Sequence, residues 1–391
     1  MQTLYEALKA LKIPTADGAL TPLRTNGAPI LRFRPDGTFR ILFLPDSHYD
    51  STLKKEAAAT VQCLRELLDE AKPDLLILGG DNVRDRKIRS YCDLLRPVLE
   101  RELPWTMVFG NHDEGENEGT KETTLAFLQT LPGCLAYDAD PALTGCANHV
   151  LPVYDRTGSV PLRALWMLDT GNHCAGGYDG VRRDQLRWFI DANMALTAAL
   201  GGETIPGYAF QHMIPQEPTK RVFLKARSRK RFMVNYEDGT ASARMMNFFR
   251  LNGLIFEHAG ASYPNHGEWA ILANGGVNAM LVGHDHNNCF SVTTGGMTLL
   301  QCPGYSWCVY GHDLIRGART LTLKEDPAAK DAERMIFTYD LARKPDSRLP
   351  EMTGTSRNAF LRQKRLSSAL FAAARALSAP SEAAQRKKRQ T

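Results

Sequence analysis

Short apolar runs that end in Gly, Asp or Asn alternate, over the first third of the chain, with stretches whose apolar residues recur at three- and four-residue spacing. The runs are FRILFLP before Asp46, DLLILGG before Asp81 and WTMVFG before Asn111, each the length of a buried strand. Ser51 to Lys72 and Asp85 to Arg101 carry the helical pattern between them, as crossover helices packed on a sheet would. This is an α/β rhythm. It predicts further strands at Ala164 to Leu168, Gly207 to Gln211 and Ala279 to Val282. Met297 to Leu300, Thr320 to Leu323 and Met335 to Tyr339 follow without intervening helices and predict antiparallel strands that close the domain.

The rhythm sets the organisation. Residues 26–345 read as one domain, and its interval 216–275, which loses the sheet pattern and holds the basic run KARSRKRF, reads as an insertion or lid. Residues 346–391 shift to Arg, Ser, Ala and Gln, end in QRKKRQT and read as a basic, flexible tail. Residues 1–25 read as an N-terminal extension. Its opening MQTLYEALKALKIP is a short amphipathic pattern without the apolar core or small-residue cleavage site of a secretion signal. No window reaches the roughly 18 consecutive apolar residues of a membrane span, so a cytoplasmic location is expected.

Composition narrows the picture slightly. A 391-residue chain that is 43% hydrophobic sustains a core, and 48 basic against 43 acidic residues leave a charge of only +5. No whole-protein field therefore argues for a nucleic-acid or membrane partner. Eight cysteines without a C-x-x-C pair read as reduced core residues. The chain shows no strong dimerisation stripe, so a monomer is the default.

The chemistry lies where the apolar runs end, at the carboxyl ends of strands, the place where open α/β sheets hold ligands. The first run delivers Asp46 and His48 in D-S-H, the second Asp81 in G-G-D-N, and the third Asn111, His112 and Asp113 in G-N-H-D. Later runs deliver His212 in F-Q-H-M-I-P and the pair His284 and His286 in G-H-D-H-N. A lone histidine is more often a hydrogen-bonded structural residue than a ligand, but five of the ten histidines stand at strand ends. Carboxylate oxygens and neutral imidazoles without a thiolate suit an open site for hard or borderline divalent cations, not a structural zinc knot.

The order D-x-H, G-D-N, G-N-H-D, H and G-H-x-H, from Asp46 to His286, resembles the calcineurin-like metallophosphoesterase superfamily. The resemblance implies a four-layer α/β/β/α sandwich of two mixed β-sheets flanked by helices, with two divalent metal ions at the strand ends. It implies that Asp46, His48 and His286 hold one ion, that Asn111, His212 and His284 hold the other, and that Asp81 bridges them. It places His112 off the metals, facing the phosphoryl group, with Asp113 orienting its ring. A helix N-cap is the alternative reading of Asp113. The implied reaction is in-line attack on phosphorus by a metal-bridging hydroxide, with His112 assisting the leaving group. Arg84 stands where purple acid phosphatases carry an iron-binding tyrosine, so no purple band is expected, and Mn, Fe, Zn or Ni fit equally.

GGYDGVRRDQLRWF, GHDHNN, PGYSWCVYGHD and RGART are similar to a non-purple, purple-acid-phosphatase-like group. That likeness implies a phosphomonoesterase acting on a phosphorylated small molecule or phosphoprotein. A phosphodiesterase or nuclease on the same centre is the alternative, with KARSRKRF as a phosphate-backbone contact or simply the face of a lid helix. A non-catalytic scaffold is the remote one. Asn82, Arg84 and Tyr305 are the candidate substrate contacts, with Trp307, Arg319 and His258 behind them; Tyr305 and Trp307, in an aromatic run, read more often as core, and Arg84 more often as a solvated residue opening a helix.

Overall fold

The structure is a computed structural model and describes residues 31–350 except 86, 115–118, 226–243, 247–250, 256, 258 and 314. Two sheets carry it. The first has five strands in the order β16-β15-β1-β2-β3, where β1 is Thr38–Leu44, β2 Leu75–Gly79, β3 Trp105–Val108, β15 Gly317–Lys324 and β16 Ala332–Phe337. β1, β2 and β3 run parallel, while β15 and β16 add antiparallel neighbours. The second has seven, β11-β13-β14-β12-β8-β5-β4, formed by Leu251–Ile255, Asn288–Thr294, Met297–Gln301, Val277–Val282, Gly207–Phe210, Pro161–Met167 and His149–Tyr154 in that order. Its centre, β5, β8, β12 and β14, is parallel.

The alternation of side chains explains why the sheets stack. Phe39, Ile41 and Phe43 of β1 and Leu75 and Ile77 of β2 face one core, shared with Trp166, Phe210 and Met280 of the second sheet. Leu42, Leu44, Leu76 and Leu78 point the other way, into a second core with helices α1, Lys54–Ala71, and α2, Ser90–Leu99. A strand buried on both faces reads as a continuous apolar run, the signature that located these strands. On the far side, Leu186, Phe189 and Leu196 of helix α4, Arg183–Ala199, and Trp269 and Leu272 of helix α6, Glu268–Asn274, join the first core. The result is a four-layer α/β/β/α sandwich. Helix α3 spans Lys121–Leu128, and none of the described helices is long and apolar enough to cross a membrane.

Of the interval 216–275, Leu251–Ile255 completes the second sheet and Glu268–Asn274 covers it, so these parts belong to the sandwich. They escaped the sequence reading because a five-residue edge strand and a seven-residue helix are too short to show a period. Helix α5, Gln216–Val222, and the paired β9 and β10, Phe223–Lys225 and Arg244–Met246, form the remainder that is described. Apart from Lys225 the basic run lies outside the described residues, as do the N-terminal extension and the C-terminal tail.

One buried contact ties the sheets at their edges. His149 of β4 lies 2.7 Å from the Thr106 hydroxyl of β3 through Nε2 and 2.7 Å from the Ala147 carbonyl through Nδ1. Burial pushes its pKa down to about 4, so the fold holds it neutral. The unfolded chain, with a pKa near 6.5, takes up the proton first as pH falls. The stability of the neutral form is complete above about pH 6.5 and is lost progressively from there down to about 4, by up to roughly 3 kcal/mol. Denaturant unfolding over this window is expected to show a shallower acid loss in His149→Gln than in the wild type.

Candidate active site

Six of the strand-end residues converge. β1, β2 and β3 of one sheet and β8 and β12 of the other release their chains at the same edge of the sandwich, so short loops bring Asp46, His48, Asp81, His212, His284 and His286 together. Asp81 Oδ2 lies 3.3 Å from His48 Nε2 and 3.2 Å from His212 Nε2. Asp46 Oδ1 lies 3.2 Å from His286 Nε2. Two overlapping clusters result, Asp46, His48, Asp81 and His286 in one and Asp81, His212 and His284 in the other, with donor atoms in each within 4.8 Å of one another. Asp81 is common to both.

The aim of four of these side chains is fixed from behind by the backbone of another segment. Asp46 Oδ2 accepts from the His284 amide at 2.9 Å, and Asp81 Oδ1 accepts from the His112 amide at 2.7 Å. The second oxygen of each carboxylate is left for the centre. His212 donates Nδ1–H to the Gly79 carbonyl at 2.9 Å and His286 donates Nδ1–H to the Tyr310 carbonyl at 3.1 Å, which turns both Nε2 atoms inward. Asp46 Oδ1, Asn111 Oδ1 and His212 Nε2 are buried and make no hydrogen bond. Buried polar atoms are rarely left so. Convergent carboxylate and imidazole donors, with a buried amide oxygen left unsatisfied at Asn111, fit divalent cations.

The loops take strained backbone to achieve this. Asp46, His48, Asp81 and His284 all have positive φ, between 38° and 72°, a region that costs a non-glycine residue about 1 kcal/mol or more. Glycine is required alongside them. A Cβ at Gly110 would stand 2.3 Å from Asp81 Oδ1, and one at Gly80, itself at φ +91°, would stand 2.5 Å from His212 Nδ1.

The carboxylates and imidazoles shift one another's protonation. Burial works against the charged forms throughout, yet contacts with Asp46 and Asp81 raise His48 to about 9 and His212 to about 10. The same contacts, with His286 on Asp46, hold both carboxylates far below their usual range. His284 is driven down to about 3 by burial and then by the neighbouring His212, and stays neutral, the form that ligates a metal.

Residues 39–288 match the family model of the Calcineurin-like phosphoesterase. The chain belongs to that family. It is a metal-dependent phosphoesterase with a candidate binuclear site of Asp and His residues. Among its relatives, "Probable inactive purple acid phosphatase 29" of Arabidopsis thaliana is 24% identical over 72% of this chain and 75% of that one. Phosphatase DCR2 of Saccharomyces cerevisiae is 29% identical over 42% and 33%. A dimetal phosphatase structure from Danio rerio aligns over 76% of this chain and 98% of its own, at 10% identity and a TM-score of 0.46.

A cavity of about 400 Å³ opens above the phosphoesterase cluster, with His112 and Arg84 exposed on its wall. Three expectations need correction. Asp113 does not reach the His112 ring: its carboxylate accepts from the Asn82 amide and side chain, at 2.6 and 2.9 Å, from Gly110 N at 2.9 Å and from the Tyr91 hydroxyl at 3.3 Å. It is a buried brace between the second and third motifs. Asn82, fully buried, serves that brace and gives its side-chain amide to Val108 O as well, so it does not line the cavity. Tyr305 is fully buried in the second core, where its hydroxyl accepts from Ser47, because the aromatic run packs inward at that point. Trp307 also packs on that core, and Arg319 is buried with its guanidinium on Gln301 O and Phe290 O. His258 lies outside the described residues.

The reading missed Tyr178, Glu257 and Tyr310, which line the cavity. Tyr178 sets its ring edge-on to His284 with centroids 4.3 Å apart, and Tyr310 stacks on His286 at 4.3 Å. Both tyrosines stand in segments that the second resemblance had singled out, but no local pattern says which aromatic of a run turns toward a site.

Asp113→Ala would leave several buried donors unpaired, so a loss of about 3 kcal/mol in denaturant stability is expected. An unchanged midpoint would remove the brace.

Proposed function

We propose that the chain is a phosphomonoesterase acting on a phosphorylated small molecule or phosphoprotein. In this reading Asp46, His48 and His286 hold one divalent ion, Asn111, His212 and His284 the other, and Asp81 both. The observation that carries it is the shared position of Asp81 between two donor clusters at the floor of a cavity whose wall presents His112 and Arg84. The orphaned donor atoms of Asp46, Asn111 and His212 support the same assignment. Mn, Fe, Zn or Ni suits the donor set equally.

When bound, two such ions supply Lewis-acid neutralisation of the phosphoryl oxygens and a water acidic enough to attack phosphorus in line near neutral pH. The chain's own residues do the rest. Asp46 and Asp81 each keep one oxygen on a backbone amide and present the other, so the centre is preorganised. The His112 ring has no hydrogen-bond partner among the described residues, while its backbone amide is pinned by Asp81. It is therefore free to give a hydrogen bond or a proton to the leaving oxygen. Arg84, exposed and without an ion pair among the described residues, pairs with a phosphoryl oxygen.

A cavity of about 400 Å³ has room for a phosphoryl group and a small alcohol portion. A diester inside a polymer needs room for chain on both sides. The scaffold alternative, raised by the name of the Arabidopsis relative, is opposed by the intact donor set.

The test is hydrolysis of an aryl phosphomonoester against the matching diester by metal-stripped protein reconstituted with each of the four metals. Metal-restored monoesterase activity is expected, and a diester preference would sink the reading. Asp81→Ala is expected to lose bound metal and activity together. His112→Ala is expected to keep its metal and turn over about 10²- to 10⁴-fold more slowly. Arg84→Ala is expected to raise KM about tenfold or more.

A further inference from the structure

Five large hydrophobic side chains are exposed among the described residues: Leu53, Val160, Met194, Tyr263 and Tyr310. Only Tyr310 lines the cavity over the metal-type cluster. It is 57% exposed. One face of its ring is taken by His286, nearly parallel at 26° with centroids 4.3 Å apart. The exposed part of the residue borders the cavity.

That plate is held rigidly. The Tyr310 carbonyl accepts from His286 Nδ1 at 3.1 Å, which ties its backbone to the side chain its ring packs on. Its hydroxyl faces the Glu257 carboxylate. Glu257 is itself fixed by the Asn287 amide at 2.6 Å and the Asn287 side chain at 3.3 Å. Val309 continues the apolar wall, and Arg84, His112 and Glu257 join the Asp81 cluster in the polar part of the lining. A single cavity thus joins a phosphoryl-binding floor to a preorganised aromatic face.

We infer that the substrate is a phosphomonoester of an aromatic alcohol, whose ring stacks on the free face of Tyr310 while its phosphoryl group lies at the Asp81 cluster. The inference rests on the phosphomonoester reading above. Offset stacking adds affinity beyond the area it covers, because the quadrupoles of two rings are complementary when displaced. An alkyl group on the same wall gains area alone. A fixed ring loses little freedom on binding, which is the advantage of holding it from behind.

The test separates ring recognition from turnover. Binding of phenylphosphonate and of methylphosphonate, which share the anion and cannot be hydrolysed, is measured by calorimetry on metal-loaded wild type, Tyr310→Phe and Tyr310→Ala. The wild type is expected to prefer the phenyl compound by about five- to tenfold. Tyr310→Phe should keep that ratio and Tyr310→Ala should bring it toward one. An unchanged ratio in Tyr310→Ala overturns the inference. So does an equal weakening of both ligands, which would make Tyr310 a support for His286 alone. Should the protein prove to cleave only diesters, the monoester reading falls by hydrolysis, while the phosphonate ratio still scores the ring.

Discussion

Two carboxylates, Asp46 at 0% exposure and Asp81 at 2%, sit with their free oxygens turned toward a common point. Like charges in a low-dielectric interior are tolerated only when cations offset them. Much of the surrounding architecture answers that requirement. β1 and β2 are adjacent and parallel, so the loops that follow them deliver both aspartates to one edge. Histidines from the first and second sheets close on them, and contact with the two carboxylates raises the pKa of His48 to about 9 and of His212 to about 10. The positive φ values at four of the site residues persist because two packed sheets over-determine where the loops begin and end.

The fold was legible wherever strands are buried on both faces. FRILFLP, DLLILGG and WTMVFG are continuous apolar runs because layers cover them above and below, and they become β1, β2 and β3. Leu251–Ile255, at the edge of the second sheet, presents no such run. The site was legible for a related reason. Polar residues directly after a buried strand have few places to go, so Asp46, Asp81, Asn111, His212 and His284 could be grouped by position. What failed were assignments that depend on direction. Asp113 follows His112 in the chain, yet its carboxylate turns back to Asn82 and Gly110. Tyr305 and Tyr310 share one aromatic run, and the first faces the core while the second faces the cavity. Adjacency in sequence does not fix the side on which a loop residue emerges.

The pattern of bonds behind the centre explains why its parts act as one. Asp46 is tied to the backbone of His284, Asp81 to that of His112, His212 to Gly79 and His286 to Tyr310. These four side chains are thereby oriented by a segment other than their own. Asp113 adds a further link, joining the loop after β2 to the loop after β3 through buried amides. A substitution in one motif shifts the backbone that aims another, so effects at these positions must couple and will not add.

The same interlocking bears on how the cavity wall relates to the chemistry. Tyr310 is bonded to His286 by its carbonyl and packed on it by its ring, and Tyr178 packs on His284. A wall built on a mobile loop would hold a substrate's alcohol portion at a varying distance from phosphorus. One built on the donors keeps that distance constant, because any displacement of the wall must displace the centre with it. Since roughly an ångström of misplacement is enough to cost a large factor in rate, a wall resting directly on His284 and His286 would, in the function proposed above, couple substrate recognition to the geometry that the reaction requires.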